Sequence, residues 1–240
     1  MRILYQLTSP MHKTVGPQEI ARRQAILREL AADAAEVSAE PIASGPAAIE
    51  SARDAALVVP ELIRLAPLAQ RRGFAALIIG CFSDPGIDAL RELLAIPVVG
   101  PGAASLYLAA QLGTRIAVLT PSGRSYGRLA ARLRALGIGS LLASVRPIGL
   151  SVTELALDAP GALDKAQRAA RMAVEEDGAD VLVLGCMSMA FLPGVCEALG
   201  ERVGVPAVNP VSAALKTAQA LLSMRIAHSK KAWPAPEETA

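Results

Sequence analysis

The sequence lacks the motifs that hold common cofactors. It has only two histidines, His12 and His228, and neither has paired ligands at the spacing of a metal site. No Walker loop is present, and no Gly-x-Gly-x-x-Gly fingerprint opens a helix after a strand. Cys81, Cys186 and Cys196 are an odd number without Cys-x-x-Cys spacing, which argues against a disulfide framework and a structural zinc site. The sequence therefore predicts a protein without cofactor or metal.

The sequence also lacks an excess of positive or negative charge. The chain has 24 basic and 22 acidic residues, a formal net charge of +2, and the two signs are interleaved. This balance argues against binding to nucleic acid or to a membrane surface. The apolar run before Thr8 is too short for a secretory signal, and prolines and glycines interrupt the longest uncharged stretch, 93–114. We expect a cytoplasmic protein that binds a small-molecule substrate, and the sequence leaves a homo-oligomer open.

What the sequence does have is a regular alternation of short β-branched runs with longer amphipathic segments. With 240 residues and 52% hydrophobic content, the chain is long enough to bury a large core. The alternation is typical of an α/β protein with parallel sheets, and helices are predicted over 17–33 and 161–177. The predicted strands are Arg2–Leu7, Glu36–Ile42, Ala75–Ile79, Pro97–Val99, Arg115–Leu119, Leu141–Pro147, Val181–Leu184 and Ala207–Val208.

Two parts of the sequence repeat each other. Segment 75–81 matches segment 180–186 as a buried strand that ends in Gly-Cys, and 97–101 matches 206–210. The helices that follow the second pair also align without a gap. The repeat predicts two related α/β halves, with each Gly-Cys at the carboxyl end of a parallel strand, where open α/β sheets bind their ligands.

Two such sheet edges facing each other across a cleft would place Cys81 and Cys186 on opposite sides of one small molecule. A buried cysteine is commonly just a small hydrophobic residue. Both of these, however, follow a glycine at the ends of matching strands, which favours a catalytic role for each. Cys196 lies in a helical pattern and is predicted to serve packing alone.

The residues around the two cysteines resemble a known family. Gly-Cys-Phe-Ser-Asp-Pro-Gly at 80–86 resembles the first cysteine motif of hydantoin and allantoin racemases, and Leu-Gly-Cys-Met-Ser-Met at 184–189 resembles the second. The similarity extends from the first strand to the helix that ends near Ala227. The chain is thereby identified as a member of the aspartate/glutamate racemase superfamily.

The resemblance implies a cofactor-independent racemase that inverts an acidic carbon. It also implies two pseudo-symmetric lobes with the active site in the cleft between them. The first lobe would comprise residues 1–98 and 208–228, and the second 99–207. The composition of 229–240 separately predicts a flexible tail after residue 228.

The chemistry independently asks for two acid/base groups. Inversion of a carbon acid removes a proton from one face and delivers another to the opposite face, so two thiols within about 3 Å of these proton positions meet the need. A free cysteine with a pKa of about 8.5 is mostly protonated at neutral pH. Helix N-termini directly after Cys81 and Cys186 would favour the thiolate.

Further residues are predicted to surround the substrate. Asp84 precedes Pro85 and Gly86, which favours a helix N-cap over a role in proton transfer. Ser83 and Ser188 follow the two cysteines at the same distance, and either binding of substrate oxygens or loop capping fits them. The remaining predicted substrate contacts are Gln6, Thr8, Ser9, Thr120, Ser125, Tyr126 and Met187.

The sequence departs from the hydantoin racemase pattern in two places. An Asn-Pro-Asn-Thr-Ser-like loop is replaced by Gln-Leu-Thr-Ser-Pro at 6–10, and Thr120 precedes Pro121 where the family has two adjacent hydroxyl residues. The first departure bears on the identity of the ring substrate more than on racemase chemistry.

The alternative functions are an aspartate or glutamate racemase, a maleate isomerase-like enzyme, or a two-lobed binding or sensor protein without turnover. An arylmalonate decarboxylase-like activity, which needs one thiol, is disfavoured.

Overall fold

The computed structural model describes residues 1–157 and 159–236. Every strand predicted from the sequence is present, and its ends lie within one residue of the predicted ends. The strands are β1 (Arg2–Leu7), β2 (Glu36–Pro41), β3 (Ala76–Gly80), β4 (Val98–Val99), β5 (Ile116–Thr120), β6 (Leu142–Pro147), β7 (Val181–Leu184) and β8 (Ala207–Val208).

The strands form two four-stranded parallel sheets with equivalent topology. The first sheet has the order β2-β1-β3-β4 and the second has the order β6-β5-β7-β8. The two strands that end in Gly-Cys, β3 and β7, thus occupy the same position in their sheets. The predicted α/β fold of two pseudo-symmetric lobes with parallel sheets is confirmed.

Helices connect the strands. They are α1 (Met11–Thr14), α2 (Pro17–Ala31), α3 (Ala52–Arg71), α4 (Ile87–Leu93), α5 (Pro101–Leu112), α6 (Tyr126–Ala135), α7 (Val152–Leu157), α8 (Ala159–Glu175), α9 (Met187–Ala190), α10 (Val195–Val203) and α11 (Pro210–Ser223). Across the described part of the chain, none of them has the length and apolar character needed to span a membrane.

A reciprocal capping box starts α3. The Asp54 N–H donates to the Ser51 hydroxyl (3.1 Å), while the Asp54 carboxylate accepts the Ser51 N–H (3.0 Å). Ser151 and Glu154 repeat the arrangement before α7. Each box satisfies backbone donors that a helix start leaves unpaired.

The chain divides into two compact units. The first contains residues 1–101 and the segment that starts at Ala214, and the second contains residues 102–213. In the first unit, apolar residues of α3 and α4, including Leu62 and Leu90, pack with apolar residues of β3 and β4, including Leu77. In the second, strands β5 and β7 are buried along their whole length.

The segment after His228, which the sequence predicts to be a flexible tail, contacts α4. Lys230 Nζ donates to the carbonyls of Arg91 and Glu92 (2.6 and 2.9 Å), which lie in the last turn of α4. Trp233 Nε1 donates to the Asp88 carboxylate, and the Arg91 guanidinium lies 4.9 Å from the centre of the Trp233 ring. A lysine ammonium at the last carbonyls of a helix and a guanidinium over an aromatic face are both favourable contacts. The final four residues lie outside the described part of the chain.

Candidate active site

The first candidate catalytic cysteine directly follows β3. Gly80, the last residue of that strand, lies opposite Leu7 of β1. A Cβ at residue 80 would lie 2.7 Å from the Gln6 carbonyl oxygen and 2.9 Å from the Tyr5 ring, so only glycine fits there without displacement. The strand ends at Gly80, so Cys81, which is partly exposed, lies at the carboxyl edge of the sheet.

A tight loop follows Cys81 in place of the predicted helix N-terminus. The Asp84 N–H donates to the Cys81 carbonyl (3.1 Å), and Asp84 adopts a left-handed conformation with φ of 47°. Gly86, also left-handed, is the N-cap of α4, which begins only at Ile87. The prediction that a helix starts directly after Cys81 is wrong, because two left-handed residues interrupt the chain before it can become helical.

Asp84 occupies a different place from the predicted one. It is not the N-cap of α4, a position that Gly86 holds. The carboxylate is instead buried, with 4% of the residue exposed, and a Cβ built on Gly100 would overlap its oxygen. The turn at Asp84 directs the carboxylate inward, toward the end of β4. Asp84 therefore connects the Cys81 loop to the neighbouring strand end.

The second cysteine lies at the equivalent place in the other sheet. Gly185 donates its N–H to the Leu119 carbonyl (2.7 Å), and a Cβ on it would lie 2.9 Å from that same oxygen. Cys186 is buried and is the N-cap of α9. The predicted helix start directly after the cysteine is confirmed here. Met187 and Ser188 form its first turn, and both are buried.

Asn209 is a residue of this region that the sequence reasoning missed. Its side-chain Nδ2 donates to the carbonyl of Ala190, the last residue of α9 (2.8 Å), while its Oδ1 accepts the N–H of Val211 (2.9 Å). Asn209 thus caps α11 and ties the Cys186 helix to the end of β8. An asparagine before a proline at the first helical position is the signal that predicts such a cap.

The predicted contacts of the first unit lie at the carboxyl edge of its sheet, except for the side chain of Gln6. Thr8 Oγ1 lies 3.4 Å from the carbonyl oxygen of Gly80, and Ser9, beside it, is partly exposed. The Gln6 amide donates to the Glu40 carbonyl (2.7 Å) of the adjacent strand. The side chain of Gln6, 5% exposed, therefore ties β1 to β2.

The remaining predicted contacts of the second unit occupy the end of β5 and the start of α6. Thr120 is buried, and its hydroxyl donates to the Ser122 carbonyl (3.1 Å). A Cβ on Gly185 would lie 2.9 Å from the Thr120 methyl group, so this threonine contacts the Gly-Cys turn directly. Ser125 is the N-cap of α6, and Tyr126, its first residue, is 58% exposed.

Comparison with known proteins identifies the family of this chain. The family model described as Asp/Glu/Hydantoin racemase matches residues 20–218. The chain belongs to the Asp/Glu/Hydantoin racemase family. It is 35% identical over 213 residues to a hydantoin racemase of Paenarthrobacter aurescens, which covers 85% of this chain and 89% of the relative.

Solved structures of racemases agree with this assignment. An allantoin racemase from Klebsiella pneumoniae has a TM-score of 0.90 at 27% identity and covers 100% of this chain and 95% of its own. An allantoin racemase from Pseudomonas fluorescens has a TM-score of 0.89 at 29% identity and covers 100% and 99%. This chain is thus a racemase-type enzyme with the two-lobed fold of those proteins.

Cys196 of this racemase lies on α10 and belongs to neither Gly-Cys turn. Burial, with a smaller contribution from the Glu197 charge, raises the pKa of its thiol to about 12. Because the thiolate is the form that reacts, almost none of Cys196 is reactive at pH 8. We expect iodoacetamide at that pH to label Cys81 first and to leave Cys196 unmodified, as measured by mass spectrometry of the peptides.

The same labelling experiment tests which thiol matters for activity. Loss of activity should follow the modification of Cys81, and substrate should slow it. A Cys196→Ala variant provides the control and should lose activity at the unchanged rate. Inactivation that follows labelling of Cys196 alone would contradict this assignment of the site.

The described residues contain no metal cluster, and a polar cavity lies apart from the predicted site residues. Within 1–157 and 159–236, no group of three histidine, cysteine, aspartate or glutamate side chains is arranged to hold a metal ion. A polar cavity of about 230 Å³ contains none of the predicted site residues. It is lined by side chains of α8 and α10: Asp164, Gln167, Arg168, Arg171 and Arg202.

Proposed function

We propose that this enzyme racemises a 5-substituted hydantoin or an allantoin-like compound without a cofactor, with Cys81 and Cys186 as its acid/base pair. One observation carries the proposal. Each cysteine directly follows a glycine at the carboxyl end of β3 or β7, which are equivalent strands in two sheets of the same topology. The duplicated fold therefore presents the same chemical group twice.

Two equivalent thiols suit a reaction whose two directions are mirror images. In one direction, the Cys81 thiolate takes the proton from the chiral carbon, and the bond electrons move into the adjacent carbonyl. The Cys186 thiol then delivers its own proton to the opposite face. The product is the other enantiomer, and the charges on the two sulfurs have been exchanged. The reverse reaction begins from that state, so the two proton transfers need neither an oxidant nor a metal ion.

The substrate class follows from the relatives and from the acidity of the carbon. A thiolate is a modest base, and it removes a proton efficiently only from a carbon whose anion is stabilised. The carbon between the carbonyl and nitrogen of a hydantoin ring meets this condition. The relatives named above are hydantoin and allantoin racemases, which supports a ring substrate despite the altered loop at residues 6–10.

A substrate panel tests the proposal directly. Purified protein would be incubated with single enantiomers of 5-substituted hydantoins, allantoin, aspartate and glutamate, and optical rotation would be followed in buffer that contains a chelator. We expect rotation to decay to zero with a ring compound and to persist with both amino acids. A Cys81→Ser/Cys186→Ser double variant is the control for spontaneous racemisation.

Two results of this panel would contradict the proposal. Racemisation of aspartate or glutamate alone would favour an amino-acid racemase with the same fold. Activity that disappears in chelator and returns only with added zinc would rule out a mechanism carried by the two thiols alone.

A further inference from the structure

The hydroxyl of Ser83 lies beside the sulfur of Cys81. The distance between Cys81 Sγ and Ser83 Oγ is 3.2 Å, within the range of a sulfur–oxygen hydrogen bond. Ser83 is exposed and Cys81 is partly exposed, so water and substrate can reach this pair. A serine hydroxyl can donate its proton or accept one, depending on the state of its neighbour.

The loop holds these two side chains together through its backbone. The hydrogen bond from the Asp84 N–H to the Cys81 carbonyl closes a turn around Ser83. The left-handed Asp84, buried against Gly100, holds the end of that turn. The contact of Ser83 with Cys81 therefore rests on a fixed turn, although the serine side chain itself is exposed.

The second half of the chain presents its serine differently. Ser188 also follows its cysteine by two residues, but it lies in the first turn of α9 and is buried. Cys186 is the N-cap of that helix and has an extended backbone. The serine of the second half thus lies in a helix, whereas Ser83 lies in a turn.

We infer that Ser83 is a positioning residue that donates its hydroxyl proton to the Cys81 thiolate and so favours the ionisation of Cys81. This inference rests on the proposed role of Cys81 as an acid/base group. The hydrogen bond stabilises the thiolate while Cys81 awaits a substrate proton. After proton transfer, the hydroxyl rotates and accepts the new S–H, so the pair stays hydrogen-bonded in both states of Cys81.

The ionisation of Cys81 can be measured without turnover. Iodoacetamide alkylation would be followed at a series of pH values, and the Cys81 peptide would be quantified by mass spectrometry. Removing one hydrogen bond to the thiolate with Ser83→Ala should raise the pKa of Cys81 by roughly 0.5–1 pH unit. Ser83→Thr keeps the hydroxyl and should restore the original pKa. Ser44→Ala, an exposed serine in the same unit, should leave it unchanged.

The pH profile of racemisation supplies a second measurement. The acid limb of kcat/KM reports the free enzyme's essential base, so Ser83→Ala should move that limb to higher pH. The two directions of a racemase share an equilibrium constant of one, so the limb should move equally for both enantiomers.

An unchanged or lowered pKa of Cys81 in Ser83→Ala would overturn the inference, as would a failure of Ser83→Thr to restore it. The proposed function fails separately. If the pKa moves as expected but no compound in the panel racemises, the tuning of Cys81 stands and the racemase substrate proposal falls.

Discussion

Replacement of either Cys81 or Cys186 by serine is expected to lower the rate of racemisation by roughly 10²–10⁴-fold, the usual contribution of a positioned acid or base. A serine hydroxyl is a far weaker acid than a thiol and cannot replace the missing partner. The remaining thiolate, however, can still remove a proton from the enantiomer that presents it. Each single variant should therefore lose inversion but keep proton abstraction on one face.

Deuterated water separates these two activities. We expect Cys81→Ser to exchange the proton of one enantiomer with retention of configuration, and Cys186→Ser to exchange that of the other. Exchange would be followed by NMR and configuration by chiral chromatography, with the non-enzymatic rate subtracted. Cys196→Ser, in which both proposed catalytic thiols remain, should racemise like the original enzyme.

The outcome also decides between an enzyme and a binding protein. If both single variants exchanged the same enantiomer, or if one kept full activity, the two-thiol mechanism would have to be abandoned. A two-lobed binding protein would bind ligand equally well with either serine, and solvent deuterium would never enter the ligand.

The second large effect concerns the glycines before the two cysteines. Gly80→Ala and Gly185→Ala should each lower the free energy of unfolding by about 1–3 kcal/mol, the usual cost of forcing an extra carbon into a packed site. The added Cβ would lie 2.7 Å from the Gln6 carbonyl oxygen or 2.9 Å from that of Leu119. Backbone oxygens in a central sheet cannot move aside as a flexible side chain can. Urea unfolding followed by circular dichroism would measure the loss.

Gly127→Ala is the matched control for these variants. Gly127 lies in α6, and nothing lies within 4 Å of a Cβ built on it. Alanine there should leave stability unchanged or raise it by up to about 1 kcal/mol, because alanine favours a helix more than glycine does. A stability loss at Gly127 as large as that at Gly80 would show that steric overlap at the strand end is not the cause.

The sequence by itself determined the eight strands, the α/β class and the two equivalent Gly-Cys positions. These features depend on local patterns: a short run of apolar β-branched residues, such as Val181–Leu184, forms a buried strand wherever it packs. The repeat of Gly-Cys also followed from sequence, because a duplicated chain that folds into duplicated sheets places matching residues at matching strand ends.

Only the tertiary structure decided how each cysteine loop continues. The local signal at Asp84 predicted a cap for α4, yet its carboxylate lies against Gly100, and the helix starts later. Asn209 reaches back to Ala190, and Trp233 contacts α4. Each of these contacts joins residues distant in sequence or depends on a left-handed turn. The free energy of such contacts comes from the packed neighbour, which no local pattern specifies.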